Sequence, residues 1–289
     1  TSITAYVART RTPGRTGDDL SYQGQFDWNT DRYGFTVSRL AIGDDFNPEV
    51  GLLRRSAYRQ WLGTARFSPR PGWRGIRKVY YQATLDYLTD TDEHPESRSL
   101  SGEYRMDFEN TDYAIVTVTQ NFERLDSRFE VGRQLFVPSG AYSFSEVKGT
   151  YTLGQQRRIS GTLTLAQGGF YDGNRSEITY RGRVELPRQI YVEPAVSWNR
   201  VTVPDGEADT NLISTRTTVP ITPRMFVSAL IQYQSRFDSV TSNARFRWEY
   251  RPGSELFVVY GDGRTTVTPG FPDLQNRSFI VKVTRLLRW

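Results

Sequence analysis

The sequence predicts an all-β fold: a transmembrane antiparallel up-and-down β-barrel of about 16 strands. Three observations predict it. Apolar and polar residues alternate with a period of two through most of the chain. Many alternating stretches run roughly 10–14 residues, whereas strands of soluble proteins are commonly about 5–6 residues long. Short and long connections also alternate along the chain, as they do in outer-membrane barrels.

The alternation is clearest in residues 176–186, where Ile178, Tyr180 and Val184 oppose Arg181 and Arg183. The final stretch, 277–289, repeats it and ends on an aromatic residue, as outer-membrane barrels commonly do. Gly, Pro, Asn and Asp punctuate the alternating stretches. The predicted strands are, in order, 2–9, 20–28, 33–42, 58–67, 76–88, 97–108, 113–124, 141–153, 159–171, 176–186, 190–201, 210–219, 225–237, 242–251, 256–260 and 277–289.

The connections predict an orientation. Short turns at 29–32, 68–75, 109–112, 154–158, 187–189, 220–224 and 251–254 alternate with a set that holds long loops at 10–19, 43–57, 89–96, 125–140 and 262–276. With sixteen strands, both ends of the chain fall on the short-turn side, which is the periplasm in bacterial barrels. An aromatic girdle is expected at that rim. Its candidate members are Trp28, Tyr33, Phe67, Trp73, Phe108, Tyr113 and Trp289.

Composition limits the class of protein. Hydrophobic residues make up 37% of the chain, mean hydropathy is −0.57, and the longest apolar run is Leu256–Tyr260. A membrane helix needs roughly 18 apolar residues, so none is predicted. The chain has no Cys, which excludes disulfides and thiolate sites. Its net charge of +5 is spread along the chain, so no nucleic-acid partner is predicted. Without a signal peptide at residue 1, the chain is expected to be processed or a fragment.

Charged residues in the middle of strands decide which face is wet. They lie opposite the apolar parity, too far from the strand ends to reach an interface, so we expect them to line an aqueous lumen while the apolar face contacts lipid. A soluble β-sandwich or propeller is the alternative fold, but it would have to enclose a core with few large aliphatic residues. The lumen candidates are Glu103, Arg105, Asp107, Arg181, Arg183, Glu185, Arg245, Arg247 and Glu249.

Four stretches carry a resemblance to a known family: GDDLSYQGQFDWN, VSRLAIGDDFNPEVGLLRR, SNARFRWEYRPGSELFVVYGDGR and NRSFIVKVTRLLRW. Together they resemble the C-terminal β-barrel domain of a bacterial outer-membrane family of unknown function. In that family the barrel usually follows a module similar to family-9 carbohydrate-binding domains. The resemblance implies an outer-membrane location and a link to glycans, and it brings no catalytic residue. From this resemblance we expect that an N-terminal module and some upstream barrel strands lie outside the given chain.

Two loops hold the remaining candidate sites. The loop at 43–57 carries Asp44, Asp45, Asn47, Glu49, Arg54 and Arg55. Two interpretations are open: the loop constricts the lumen or contacts a partner, or its carboxylates cap the turn and pair with the arginines. In the acidic loop, His94 is either a catalytic base paired with Asp90 or Asp92 or, as we expect, a solvated loop residue. Asp90, Asp92 and Glu93 supply oxygen ligands for a weak Ca²⁺ candidate that lacks EF-hand spacing.

The predicted function is non-enzymatic: a channel or pore, linked to glycan binding or uptake. The alternative is a plugged structural barrel that anchors or docks a periplasmic or surface module. The lumen arginines suit a selectivity ladder for anionic or sugar solutes, or pair internally with Glu177, Glu185 and Glu249. Predicted partners are outer-membrane lipids, a glycan ligand, a partner or plug subunit, and the barrel assembly machinery acting on the C-terminal strand. No cofactor is predicted.

Overall fold

The computed structural model describes residues 1–49, 51, 55–132, 135–268 and 270–287. These residues form strands, with two short 3-10 helices at Pro187–Gln189 and Ser235–Phe237. Among them there is no helix with the length and apolar character needed to cross a membrane.

The strands follow the predicted alternation closely in the first half of the chain. They are β1 (Ser2–Arg9), β2 (Leu20–Asn29), β3 (Tyr33–Ile42), β4 (Tyr58–Phe67), β5 (Ile76–Asp90), β6 (Pro95–Phe108), β7 (Tyr113–Leu125), β8 (Phe129–Gly132), β9 (Leu135–Val137), β10 (Gly140–Leu153), β11 (Ile159–Phe170), β12 (Gly173–Leu186), β13 (Ile190–Val203), β14 (Gly206–Thr222), β15 (Met225–Gln234), β16 (Ser239–Arg251), β17 (Ser254–Thr265) and β18 (Asp273–Thr284).

Sixteen of these strands form one sheet in which each strand lies beside its neighbours in sequence. The order runs β1 to β7 and then β10 to β18, and β8 and β9 pair separately as a small hairpin. The recorded pairings are antiparallel, from β1 with β2 to β17 with β18. The predicted all-β, antiparallel, up-and-down fold class is therefore confirmed, and β1 and β18 are the end strands of the sheet order.

The chain divides into two compact units. The first comprises Thr1–Gly149, Ala166–Arg175 and Thr202–Gly206, and the second comprises Thr150–Leu165, Ser176–Val201 and Glu207–Trp289.

The register makes each face of the sheet continuous across strands. In the first unit, Ala65, Ala83, Gly102 and Val118 lie opposite one another on β4 to β7. The next row, Thr64, Thr84, Ser101 and Thr119, points the other way, because successive side chains of a strand alternate between faces. One face is therefore apolar over several strands and the other is polar.

Burial is the reverse of that in a soluble protein. The apolar face is open: Val118 is 51% exposed, Leu165 48% and Ile231 53%. Asp107 and Asp112, in contrast, are buried, at 4% and 3% exposure. Apolar burial normally drives folding in water, so an apolar face left uncovered across many strands needs a different environment.

Several predicted bounds are wrong. The final strand begins at Asp273 and ends at Thr284, and β17 extends to Thr265, so the predicted loop 262–276 shrinks to 266–272. The acidic loop shrinks to residues 91–94, and β13 and β14 are joined by residues 204–205 alone. Backbone pairing extends these strands through polar residues, because each paired residue satisfies its backbone hydrogen bonds. Long connections on one side are therefore confined mainly to the first half of the chain.

Candidate functional site: the charged face

In the first unit, a cluster of charges on the polar face is paired within the protein. The buried Asp107 carboxylate accepts hydrogen bonds from Arg105 Nε at 2.7 Å and from Arg77 Nη2 at 3.3 Å. It also accepts one from the Tyr80 hydroxyl at 3.3 Å. The Arg105 guanidinium lies 4.5 Å from the Tyr113 ring centroid. Two guanidinium groups, those of Arg77 and Arg105, therefore share one buried carboxylate.

A second paired cluster lies at the turn between β2 and β3. The Asp31 carboxylate accepts from Arg70 Nη2 and from Lys78 Nζ, both at 3.0 Å. Hydrogen bonds from Arg70 and then Lys78 hold the pKa of Asp31 well below its ordinary value. The bonds tie the β2–β3 turn to the next turn, at 68–75, and to the start of β5. Their role is to brace the turn end of the sheet.

The second unit is different, because three arginines on its polar face lack side-chain partners among the residues that the structure describes. Arg181, Arg216 and Arg245 are exposed. None of their side chains makes an ion pair, hydrogen bond or ring contact with the described part of the chain. They line two cavities of about 480 and 340 Å³, which share Glu193, Arg216 and Leu230. Arg181 belongs to the first cavity and Arg245 to the second.

The pairing register explains why these side chains share one face. Arg245 lies opposite Ser228, and Ser228 lies opposite Thr218. Two residues along the same strands, Arg216 lies opposite Leu230, and Leu230 lies opposite Asn243. Residues two apart on one strand point to the same side, so Arg216 and Thr218 share a face. The two rows place cationic and hydroxyl groups together on β14 to β16.

The other predicted lumen charges on β12 and β16 have partners. Arg183 lies 4.0 Å from the Tyr191 ring centroid. Arg247 pairs with Glu255 and lies about 6 Å from the Phe257 ring. Glu249 accepts a hydrogen bond at 3.1 Å from the Gly253 backbone, which closes the β16–β17 turn.

Two predicted lumen carboxylates remain. Glu103 lies between Gln82 and Thr117 on the polar row, and Glu185 lies near the end of β12, where its backbone nitrogen bonds Arg158 at 2.7 Å. The alternative in which the lumen arginines pair internally holds for Arg247, whose partner is Glu255. The direct partner of Arg247, Glu255 on β17, was not among the expected Glu177, Glu185 and Glu249, although the charge of Glu249 also acts on Arg247.

The apolar face carries an aromatic row. Ring centroids are 6.5 Å apart for Trp28 and Tyr33, 5.3 Å for Tyr33 and Phe67, 6.2 Å for Phe67 and Tyr81, and 5.1 Å for Tyr81 and Tyr104. A groove of about 650 Å³ beside the row is lined by small residues at 65, 83 and 102. A band of large aromatics beside an apolar face is typical of a membrane interface.

The membership of the predicted girdle needs correction. Tyr113 lies on the charged face, because it is opposite Asp107 and beneath Arg105. Phe108 lies opposite Ile76 at the end of β6. Trp73 is 54% exposed in the turn at 68–75. Trp289 lies outside the described residues. The weak parity of 113–124 in the sequence hid the position of Tyr113.

The loop candidates pack against the preceding loop. The Asp45 carboxylate accepts from the Gly17 backbone at 2.5 Å, and the Asn47 backbone nitrogen donates to Thr10 Oγ1 at 2.9 Å. Asp44 and Glu49 are exposed. Arg55 pairs with Glu96 at 2.5 Å, so its predicted pairing with Asp44 or Asp45 is wrong. Arg54 lies outside the described residues. The loop at 43–57 therefore stabilises the preceding loop at 10–19 through these hydrogen bonds.

The acidic loop is occupied by its own contacts. Asp90 accepts from the His94 backbone at 2.8 Å and lies 3.1 Å from His94 Nδ1. Glu93 pairs with Arg59 at 2.8 Å, and Asp92 is exposed. Across residues 1–49, 51, 55–132, 135–268 and 270–287, no three acidic, His or Cys side chains come together to hold a metal ion. The Ca²⁺ candidate therefore gains no geometric support.

Comparison with solved structures finds the ferric enterobactin receptor of Pseudomonas aeruginosa. One mutant structure has a TM-score of 0.48 and 11% identity, covering 91% of this chain and 52% of that one. A second mutant gives 0.48 and 12%, and a third, in complex with enterobactin, gives 0.47 and 12%. The chain thus spans about half the length of these receptors. No protein-family model matches the chain, and no curated protein does.

Sequence reasoning missed two residues that line both cavities of the second unit, Arg216 and Glu193. Both lie on strands whose apolar parity is diluted by Thr, Ser and Pro, so the alternation gave little signal. The usable signal was the parity of Ser214, Arg216 and Thr218, which sets a cation between two hydroxyls on one face.

It also missed an aromatic cluster around Tyr171, between β11 and β12. The Tyr171 hydroxyl donates to Glu123 Oε2 at 3.0 Å. Its ring centroid lies 4.8 Å from Phe170, 5.4 Å from Tyr142 and 5.4 Å from Phe144. Burial, followed by the negative charge of Glu123, raises the pKa of Tyr171 to about 12. The contacts with Glu123, Tyr142 and Phe144 join residues far apart in sequence, which periodicity cannot predict.

Proposed function

We propose that this chain forms a membrane-spanning β-barrel of the bacterial outer membrane, and that its charged face lines a water-filled passage for solutes. The observation that supports the proposal is the reversed burial, with apolar side chains open over many strands and carboxylates such as Asp107 buried. Lipid tails cover an apolar face without cost, whereas water does not.

Strand length agrees with a membrane crossing. β5 has 15 residues. At about 3.3 Å per residue and a tilt of about 40°, such a strand rises roughly 38 Å, which exceeds the roughly 25 Å apolar band of outer-membrane barrels. The aromatic row from Trp28 to Tyr104 would then lie at one interface, where amphipathic rings are favoured.

We propose passage rather than anchorage because the second unit presents cations that no residue in the described part of the chain neutralises. A face that serves only structure is expected to pair its charges, as Arg105 and Asp107 do. Glycans are the solute class we propose, and this finer part rests on the family resemblance alone. The proposal is non-enzymatic, and His94 is in it a solvated loop residue.

A plugged barrel that docks another module is the second candidate. One observation favours it: the hairpin formed by β8 and β9 is packed, with Leu135 at 8% exposure and Val137 fully buried. A packed hairpin in the connection between β7 and β10 is a candidate plug for the barrel lumen.

Single-channel conductance in planar bilayers tests the proposal. The purified protein, in its natural full-length form, is expected to give steady conductance that added oligosaccharides block. A silent protein that is correctly inserted would overturn the passage and favour the plugged barrel. Conductance without any block by sugars would retain the channel and remove the glycan part.

A further inference from the structure

The unpartnered arginines of the second unit point to a binding site for oxyanions. We propose that Arg181, Arg216 and Arg245 bind the carboxylate or phosphate groups of a solute, and that the neighbouring hydroxyls bind its sugar-like hydroxyl groups. This inference deepens the proposed function and rests on it for access of the solute, but its test measures binding and not conduction.

Charge is the first argument. The two cavities hold three arginines against one carboxylate, Glu193. Elsewhere on the polar face, arginines have protein partners: Arg105 has Asp107 and Arg247 has Glu255. Guanidinium groups form strong, directional bonds with carboxylate and phosphate oxygens. An excess of cations in one place therefore attracts an anionic ligand.

Spacing is the second argument. Arg216 and Arg245 lie on β14 and β16, one row apart along the strands. Adjacent strands lie about 4.8 Å apart, and two residues along a strand span about 6.7 Å. Arg216 and Arg245 are two strands and two residues apart, so their backbones are separated by roughly 12 Å. Two extended arginine side chains span most of that distance. An oxyanion between them, or two oxyanions on one solute, fits this gap.

The uncharged lining is the third argument. Ser197 and Ser214 line the cavity of Arg181, while Thr218, Ser228 and Asn243 line the cavity of Arg245. Hydroxyl and amide groups donate and accept hydrogen bonds, as sugar hydroxyls require. Their combination with arginines favours an acidic or phosphorylated sugar over a simple inorganic ion.

The exposure of the three arginines sets the expected strength. Groups that face water are screened by salt, so we expect weak binding, at about millimolar ligand, that falls as ionic strength rises. Weak binding also suits a passage, because a solute that binds tightly does not leave.

The test is equilibrium titration of the detergent-solubilised or lipid-embedded protein by calorimetry. The probes are galacturonate, inorganic phosphate and the neutral sugar galactose. The Arg216→Gln variant removes the cation common to both cavities. The matched control is Arg224→Gln, which removes the same charge from the exposed β14–β15 turn outside both cavities.

We expect Arg216→Gln to weaken galacturonate binding about 10-fold or more, since a hydrogen bond to a charged group contributes about that factor. Arg224→Gln is expected to change it less than 2-fold. Stronger binding of galacturonate than of phosphate assigns an acidic sugar, and the reverse assigns a phosphate group; both support an oxyanion site. Equal losses in the two variants, binding of galactose alone, or no binding at all would overturn it.

These outcomes are separate from those of the conductance experiment. Anion binding by a protein that does not conduct would retain the site and remove the passage. Conductance without anion binding would retain the passage and remove the site.

Discussion

A charge placed on each face of one strand should have opposite consequences. Val118 and Thr119 are neighbours near the middle of β7, opposite Gly102 and Ser101 respectively. Val118 is 51% exposed on the apolar face. If that face contacts lipid, Val118→Arg puts a guanidinium near the centre of the bilayer, which costs about 2–4 kcal/mol. Thr119→Arg extends toward the wet face and is expected to cost less than about 1 kcal/mol.

The assay is reversible urea unfolding of the protein folded into phospholipid vesicles, followed by tryptophan fluorescence. The free energy of unfolding should fall by about 2–4 kcal/mol for Val118→Arg relative to wild type, while Thr119→Arg stays close to wild type. If Thr119→Arg is the damaging change and Val118→Arg is neutral, the apolar face meets water. The assignment of the apolar face to lipid would then be refuted.

Three further predictions concern charged and aromatic clusters. Asp107→Asn should lower the free energy of unfolding by about 1–3 kcal/mol, because it weakens charge-assisted bonds to a buried carboxylate; urea midpoints measure it. Asp31→Asn should lose stability at neutral pH but match wild type in strong acid, because the stability from the lowered pKa of Asp31 is fully present above its ordinary value of 3.8 and is lost as the pH falls from there through the lowered pKa. Tyr171 should ionise near pH 12, so the stability that its raised pKa contributes below pH 10 is lost between about pH 10 and 12; phenolate absorbance, compared with Tyr171→Phe, measures it.

Each of these has a control and a contrary result. For Asp107, the same change at the exposed Asp205 in the β13–β14 turn should be neutral, and equal effects would remove the role of burial. For Asp31, a stability difference from wild type that grows as the pH falls would contradict the predicted direction of the pH dependence. For Tyr171, the loss of an absorbance step at pH 10 rather than 12 in Tyr171→Phe would contradict both the burial of its hydroxyl and its contact with Glu123.

Alternation predicted the sheet because apolar and polar residues alternate with a period of two in a strand that has one apolar face. Residues 176–186 show it, and β12 contains all of them. The signal fails where both faces carry small or polar residues. It therefore did not reveal that β14 continues through Thr222, or that Arg216 shares a face with Arg245 two strands away.

The site was only partly predictable for a related reason. Parity assigns a charge to a face, but it does not say which charges pair. Arg245 and Arg247 have the same parity on β16, yet Arg247 pairs with Glu255 whereas Arg245 lines the cavity. That difference comes from the register with β17, which depends on bulges and turns that periodicity does not encode.

The most direct test of the central claim uses the absence of cysteine from the sequence. Leu100→Cys and Ser101→Cys place one thiol on each face of β6, and Leu100 is 46% exposed. In vesicles, we predict that a fluorophore at position 100 is quenched by brominated lipid tails and that its thiol resists a water-soluble maleimide. The thiol at position 101 should react with the maleimide, and its fluorophore should escape quenching by lipid. Reaction of position 100 from water, together with quenching of position 101 by lipid, would contradict the claim.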